Sequence, residues 1–244
     1  LGQPRQVAPP AVSEWYVEAY EKAYIDFAPE ISARLLDEMG LDKRNSDGIR
    51  LRPDGKPLRI YLEMSSTGAG LSQLFEMIAA DWTDVGVLTK VKMSARQLFK
   101  QRRDARLSDV CMWGGAGEII PVLDPRWFIP YNSSSFYGLD FAQWYLTGGR
   151  KGVEPPAPML KALSLFGDLQ RTMDEDEQIE IFKEIIEISR QNLWVIGGVG
   201  AIPQIFIVHN SFRNVPKVAV ACWPLRTPGA TAPECYAIDE GADI

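Results

Sequence analysis

Between residues 29 and 113 the spacing of apolar positions switches back and forth between a helical and an extended period. The segment 29–39 (PEISARLLDEM) puts Ile31, Leu35, Leu36 and Met39 on one helical face, with Pro29 suited to a first turn and Gly40 to a terminator. A polar stretch follows, in which Asp47-Gly48 and Asp54-Gly55 mark tight turns. Residues 58–63 (LRIYLE) alternate as a strand does. Residues 71–85 carry Leu71, Leu74, Phe75, Ile78 and Trp82 at helical spacing, 87–93 (VLTKVKM) alternate again, 96–106 form a basic helix, and 109–113 (DVCMW) read as a short strand. The order strand–helix–strand–helix–strand predicts an α/β layer with partly parallel pairing, because a parallel neighbour needs a crossover long enough to hold a helix.

Outside that block the pattern is looser. Residues 1–13 are Pro-rich and irregular. In 14–27 (EWYVEAYEKAYIDF), Trp15, Tyr16, Tyr20, Tyr24 and Phe27 fall close to helical spacing and predict a helix, or a helix and a turn. Residues 114–149, rich in Gly, Pro, Ser and aromatic residues, are expected to be mostly loop. Two helices are predicted beyond them: 158–172, with Leu160, Leu163, Phe166 and Leu169 on one face, and 174–193, with Ile179, Phe182, Ile185, Ile186 and Leu193. Asp174 is placed as N-cap of the second, with Glu177 three residues on. The acidic run 174–177 suits a helix N-terminus, where negative charge opposes the macrodipole. The tail, 194–244, reads as strand and loop.

One stretch, 191–212, contains no Lys, Arg, Asp or Glu. A membrane span needs about 20 predominantly apolar residues. Here Gly197, Gly198, Gly200 and Pro203 interrupt the run, and Asn192, Gln204, His209 and Asn210 lie within it. Two short buried strands, near 193–197 and 204–208, fit it better.

A chain of 244 residues, 46% of them hydrophobic, can bury a core of its own as one large domain or two small ones. Its 26 basic and 32 acidic residues give a net charge of −6, which argues against sequence-independent nucleic-acid binding. The first residue is Leu1, as expected of a processed chain or a piece of a longer one. Residues 1–15 lack the charged-then-apolar pattern of a signal peptide, which says nothing of compartment.

Chemistry-bearing residues are sparse. Cys111, Cys222 and Cys235 include no CxxC pair, and with His209 the single histidine, zinc-ligand spacing is missing. Buried cysteines are expected, with a Cys222–Cys235 pairing left open for an oxidising compartment. His209, at the end of an apolar strand, is expected to be structural. Residues 65–70 (SSTGAG) follow a strand and precede a helix, but Gln73 stands where the dinucleotide fingerprint wants a third glycine, so the segment reads as a helix-initiating turn. Arg102, Arg103 and Arg106 read as a solvated helix face. There is no nucleophile elbow and no HExxH, and nothing singles out a pair of catalytic carboxylates.

The run 113–127 (WGGAGEIIPVLDPRW) stands apart. A strand delivers Trp113 into Gly114 and Gly115, and Glu118 follows. Glycines let backbone come close to a ligand. An aromatic face beside a carboxylate can stack on a sugar ring or hold a cationic amine. Trp113, Gly114, Gly115 and Glu118 are therefore the candidate ligand-binding residues. The competing reading is a core tryptophan and a solvated glutamate.

Several passages, in order, resemble a known family. EKAYIDFAPEISARLLDEMGL, DKRNSDGIRLRPDGKPLRI and ADWTDVGVLTKVKMSARQLFKQRR are similar to the C-terminal half of the family 5 extracellular solute-binding proteins, the oligopeptide- and dipeptide-type receptors of ABC importers. So are the strand–Trp–Gly junction at 109–115 and NLWVIGGVGAIPQIFIVHNSFRNVP at 192–216. The resemblance implies an α/β, periplasmic-binding-protein-like fold (type II, two-lobed) of which mainly the C-terminal lobe is present. Residues 1–193 would form that ligand-binding lobe, incomplete at its N-terminus, and 194–244 would cross back to the N-terminal lobe.

The same resemblance implies a non-catalytic subunit that captures a small solute, an oligopeptide or an oligosaccharide, and passes it to ABC permease subunits. No cofactor, metal or nucleic acid is expected. The protein would work as a monomer on the periplasmic or extracellular face of the bacterial membrane, meeting the membrane only through an anchor or the permease. In peptide-binding members the loop after the tryptophan carries an acid that pairs with the peptide's N-terminal ammonium. Here Trp113 matches, position 116 is Ala116, and the nearest acid is Glu118. That displacement leaves an oligosaccharide stacked on tryptophan as the other candidate. A carboxylate-dependent α/β hydrolase and a solute-sensing receptor domain are the rival function classes. The first lacks a histidine-based constellation; the second differs only in its partner.

Overall fold

The computed structural model describes residues 2–115, 117–200, 205–226 and 228–239. Along the chain run β1 (Gln3–Pro4), α1 (Glu18–Glu21), α2 (Pro29–Glu38), β2 (Arg59–Ser65), α3 (Ser72–Asp84), β3 (Leu88–Ser94), α4 (Arg96–Asp104), β4 (Val110–Cys111), α5 (Leu139–Leu146), α6 (Ala157–Leu169), α7 (Glu175–Asn192), β5 (Val199–Gly200), β6 (Phe212–Arg213) and β7 (Ala237–Ile238). They make two compact units: Asp26–Gly114 is one, and Leu1–Ile25 with Gly115–Ile244 the other. These boundaries concern packing within the chain.

In the unit Asp26–Gly114 the expected α/β layer forms, and its pairing is parallel throughout. The strand order is β3-β2-β4. Arg59 to Ser65 pair with Leu88 to Ser94 in register, and Leu62 and Glu63 pair with Val110 and Cys111. The central strand β2 is buried on both sides, with Leu62, Glu63, Met64 and Ser65 all buried, as a parallel strand flanked by helices should be. Phe75 and Ala79 of α3 and Phe99 of α4 complete this core. Residues 66–71 form a 3-10 turn that leads into α3, as expected.

Two expectations in this unit are corrected. The apolar face of α2 is not packed: no residue of that helix is buried, and Ile31, Leu35 and Met39 are exposed. The helix is held from its other side, where Ala33 and Asp37 meet Arg50. Arg50, 1% exposed, donates from Nε to Val85 O at 2.8 Å, from Nη1 to Leu41 O at 2.6 Å and from Nη2 to Ala33 O at 2.9 Å, and pairs with Asp37. Its charge thereby sits at the C-cap of α3 and the end of α2, where helix dipoles favour a cation. Gly86 lies flat against it; its φ is +98°, and a Cβ there would come within 2.7 Å of Arg50 Cγ.

The second correction concerns the basic helix. Arg102 and Arg103 are not solvated. Arg102 reaches Glu63 with two hydrogen bonds, and Arg103 is buried and bonds the Asp104 carboxylate. Arg106 is exposed as expected.

In the second unit, α6 and α7 pack on each other through residues that include Leu163, Phe166, Ile185 and Ile186, all buried. Asp174 caps α7, accepting from the Glu177 N–H at 2.9 Å. Trp15 and Phe128 meet the Phe182 ring edge-on, at 5.5 and 5.2 Å between centroids. Of the helix, or helix and turn, expected over 14–27, α1 and a turn over 22–24 form, with Tyr24 at φ +52°; Trp15 and Tyr20 are buried, whereas Tyr24 and Phe27 are exposed. Gln6 ties the returning chain to the start: its Oε1 accepts from Gly197 N and its Nε2 donates to Ala23 O, both at 2.7 Å.

The loop expected over 114–149 contains one helix, α5. The strands expected near 193–197 and 204–208 do not form. Leu193 adopts a left-handed conformation that ends α7, β5 pairs with β1 instead, and residues 205–208 are exposed; Gln204 lies outside the described residues. β6 and β7 pair antiparallel. Cys111, Cys222 and Cys235 are free thiols. Among the described residues no helix is long and apolar enough to cross a membrane.

Candidate functional site

Parallel sheets offer ligands the carboxyl ends of their strands, where backbone turns into the following loops. Here β2 ends at Ser65, β3 at Ser94 and β4 at Cys111. Met112 N donates to Glu63 O at 2.8 Å, which carries the pairing one residue past β4 and delivers Trp113. The indole is half-buried. It stacks on Phe99 with centroids 5.8 Å apart and planes 14° from parallel, and the Arg96 guanidinium carbon lies 5.3 Å from its ring centroid. Phe99 and Arg96 are one turn apart on α4, so the first turns of that helix hold the tryptophan. Gly114 is exposed, and a Cβ on it would meet nothing within 4 Å.

Gly115 and Glu118 belong to the other unit. Gly115 has φ +136°, and a Cβ there would lie 2.7 Å from Trp127 Cζ2; the glycine is required by the indole beneath it. Glu118 is buried rather than solvated. Burial raises its carboxyl above the usual range, with the Asp124 charge adding to the rise and Glu118's own backbone N–H and Arg126 opposing it. Trp127 Nε1 also favours the ionised form, without reaching hydrogen-bond geometry. Arg126 is engaged elsewhere: its Nε and Nη2 bond the two oxygens of the buried Asp124 at 2.6 and 2.5 Å. Ser13 Oγ donates to Ile119 O at 2.6 Å and fixes the turn after Glu118. The four candidate residues are thus divided two and two: Trp113 and Gly114 in one unit, Gly115 and Glu118 in the other.

Sequence reasoning passed over Arg96, Asp124, Arg126 and Trp127. The last three had a signal in Asp-Pro-Arg-Trp, where an acid and a base two apart flank a proline that fixes the turn. His209, expected at a strand end, is exposed and in no strand; its Nδ1 lies 2.8 Å from Ser211 Oγ. Among the described residues no group of three or more His, Cys, Asp or Glu gathers as a metal site.

The comparisons with known proteins agree with this architecture. The model for bacterial extracellular solute-binding proteins, family 5 (middle), matches residues 1–136. The chain belongs to this family. Among solved structures, the oligopeptide-binding protein OppA is 30% identical, with a TM-score of 0.79 over 98% of this chain and 40% of that one. Two more distant structures share the fold. One is MelB of Agrobacterium fabrum in complex with stachyose, at 16% identity and TM-score 0.66, over 81% of this chain and 29% of that one. The other is an oligopeptide-binding protein of Thermotoga maritima with mannohexaose bound, at 17% identity and TM-score 0.62, over 88% and 39%. No curated protein matches the sequence. The chain spans 40% of the length of OppA, and its architecture is the α/β, periplasmic-binding-protein-like one of its relatives.

Proposed function

We propose that the chain is part of the solute-capturing subunit of an ABC importer. It works on the periplasmic or extracellular face of a bacterial membrane, takes up an oligopeptide or an oligosaccharide, and passes it without catalysis to permease subunits. The observation that carries this reading is the match of nearly the whole chain to an oligopeptide-binding protein at 30% identity. The structures holding stachyose and mannohexaose support keeping sugars beside peptides. Trp113, Gly114, Gly115 and Glu118 are each proposed to contact solute, Gly114 through backbone with open space around it.

Residues 1–193 are assigned to the ligand-binding lobe and 194–244 to the return towards the other lobe. The exposed apolar side chains of 205–208, with Val218 and Trp223, support that assignment, since such residues belong against a partner surface.

The test is thermal shift on the full-length protein with peptides and oligosaccharides side by side. A ligand at a hundredfold excess over its Kd should stabilise by about 2.7 kcal/mol. No shift with either class overturns the reading. Unchanged affinity in Glu118→Ala removes Glu118 from the site.

A further inference from the structure

Resting on the solute-capture reading, we propose that Arg96 recognises an anionic group of the solute, a carboxylate in the first instance, beside the face of Trp113. The unit Asp26–Gly114 contains nine arginines. Eight of them bond to a carboxylate, a carbonyl or a hydroxyl. Arg96 has no hydrogen bond or ion pair among the described residues; its one contact of this kind is with the Trp113 ring, 5.3 Å from its centroid.

Helix energetics do not explain its position. Arg96 is the first residue of α4, where the macrodipole disfavours a cation and an acid would stabilise, and Ala95 before it supplies no side-chain cap. What the position does supply is orientation. Phe99, one turn on, stacks against the same indole, so α4 sets a planar guanidinium beside a fixed aromatic ring at the carboxyl edge of a parallel sheet. A guanidinium held over a ring keeps its N–H fork for a second partner, and that fork matches two carboxylate oxygens. A neutral sugar stacked on Trp113 would leave this charge unused. A solute with a carboxylate, such as the free C-terminus of a peptide, would not.

Isothermal titration calorimetry on the full-length protein separates these cases with three probes: trialanine, trialanine C-terminal amide and maltotriose. Arg96 is exposed, so Arg96→Gln should fold, and its unchanged thermal unfolding confirms that. Trialanine is expected to bind. Amidation and Arg96→Gln should each weaken it about tenfold, and the variant should bind acid and amide alike. Equal binding of acid and amide by the natural protein, binding of maltotriose alone, or a loss below about twofold in Arg96→Gln overturns the assignment and leaves solute capture standing. Failure of all three probes to bind overturns both.

Discussion

Glu63 and Glu118 are buried to almost the same depth, 1% and 3% exposed, and their surroundings treat them in opposite ways. Glu63 lies in the central strand of the parallel sheet. Arg102 meets it from α4 with hydrogen bonds of 2.8 and 2.6 Å, and that fork holds the carboxyl below its usual range. Glu118 lies in the loop before a 3-10 turn. Its nearest arginine is committed to Asp124, and burial raises its carboxyl instead. A charge taken out of water together with its partner becomes part of the framework. A carboxyl buried without one is a position on which the fold places no stabilising demand.

The largest effect that would sharpen this contrast is expected from Arg102→Ala. It strands a buried carboxylate and should cost about 3–5 kcal/mol, while Glu63→Leu combined with Arg102→Leu should recover most of the loss. Urea unfolding followed by circular dichroism reads both; a cost under about 1 kcal/mol would put the pair in the surface class and break the contrast. Next comes Gly115→Ala, which forces a Cβ onto Trp127 at a positive φ. It should destabilise by roughly 1–3 kcal/mol, against less than about 0.5 kcal/mol for Gly114→Ala in open space.

A smaller change of opposite sign is expected from Glu118→Gln. The amide removes a buried titratable carboxyl without leaving a cation orphaned, so stability should hold or rise by about 1 kcal/mol, whereas Glu63→Gln should lower it. Matched melting curves decide this, and a clear loss in Glu118→Gln would show a structural partner for that carboxylate.

The smallest and most diagnostic effect is the pH dependence. Folded Glu63 holds its proton less tightly than the unfolded chain does, so its contribution is complete above the ordinary value of 4.5 and is lost as pH falls through its depressed value. Folded Glu118 holds its proton more tightly, so its contribution is complete below 4.5 and declines as pH rises through its raised value. Glu63→Gln should therefore flatten the acid limb of the stability profile and Glu118→Gln the limb above 4.5. An unaltered upper limb in Glu118→Gln would remove the distinction.

The sheet and its two crossover helices could be read from sequence because their apolar periods are strong and local. Leu62 and Met64 alternate, and Phe75, Ala79 and Phe99 fall where helical faces should bury. The same reasoning placed α2 but not what holds it: its stripe of Ile31, Leu35 and Met39 is exposed, because periodicity cannot say that a polar anchor through Asp37 and Arg50 holds the opposite side. It missed α5 inside a stretch dominated by Gly, Pro and Ser. It also read strands near 193–197 and 204–208, where Leu193 turns left-handed and Gly197 is clipped to Gln6 over 191 positions of chain. Of the candidate site, Trp113 at the end of β4 was legible from the strand that carries it. The burial of Glu118 was not, since it depends on how the loop folds, with Ser13 fixing the turn after it.

The exposed run of Ile205, Phe206, Ile207 and Val208 bears on how a chain of this length behaves at high concentration. Its side chains are all open to solvent, Ile207 at 98%. An uncharged apolar run open to solvent makes an edge that a second copy can pack against. Self-association through such an edge would compete with solute in any titration of the chain, and light scattering should rise with protein concentration before binding curves lose their shape.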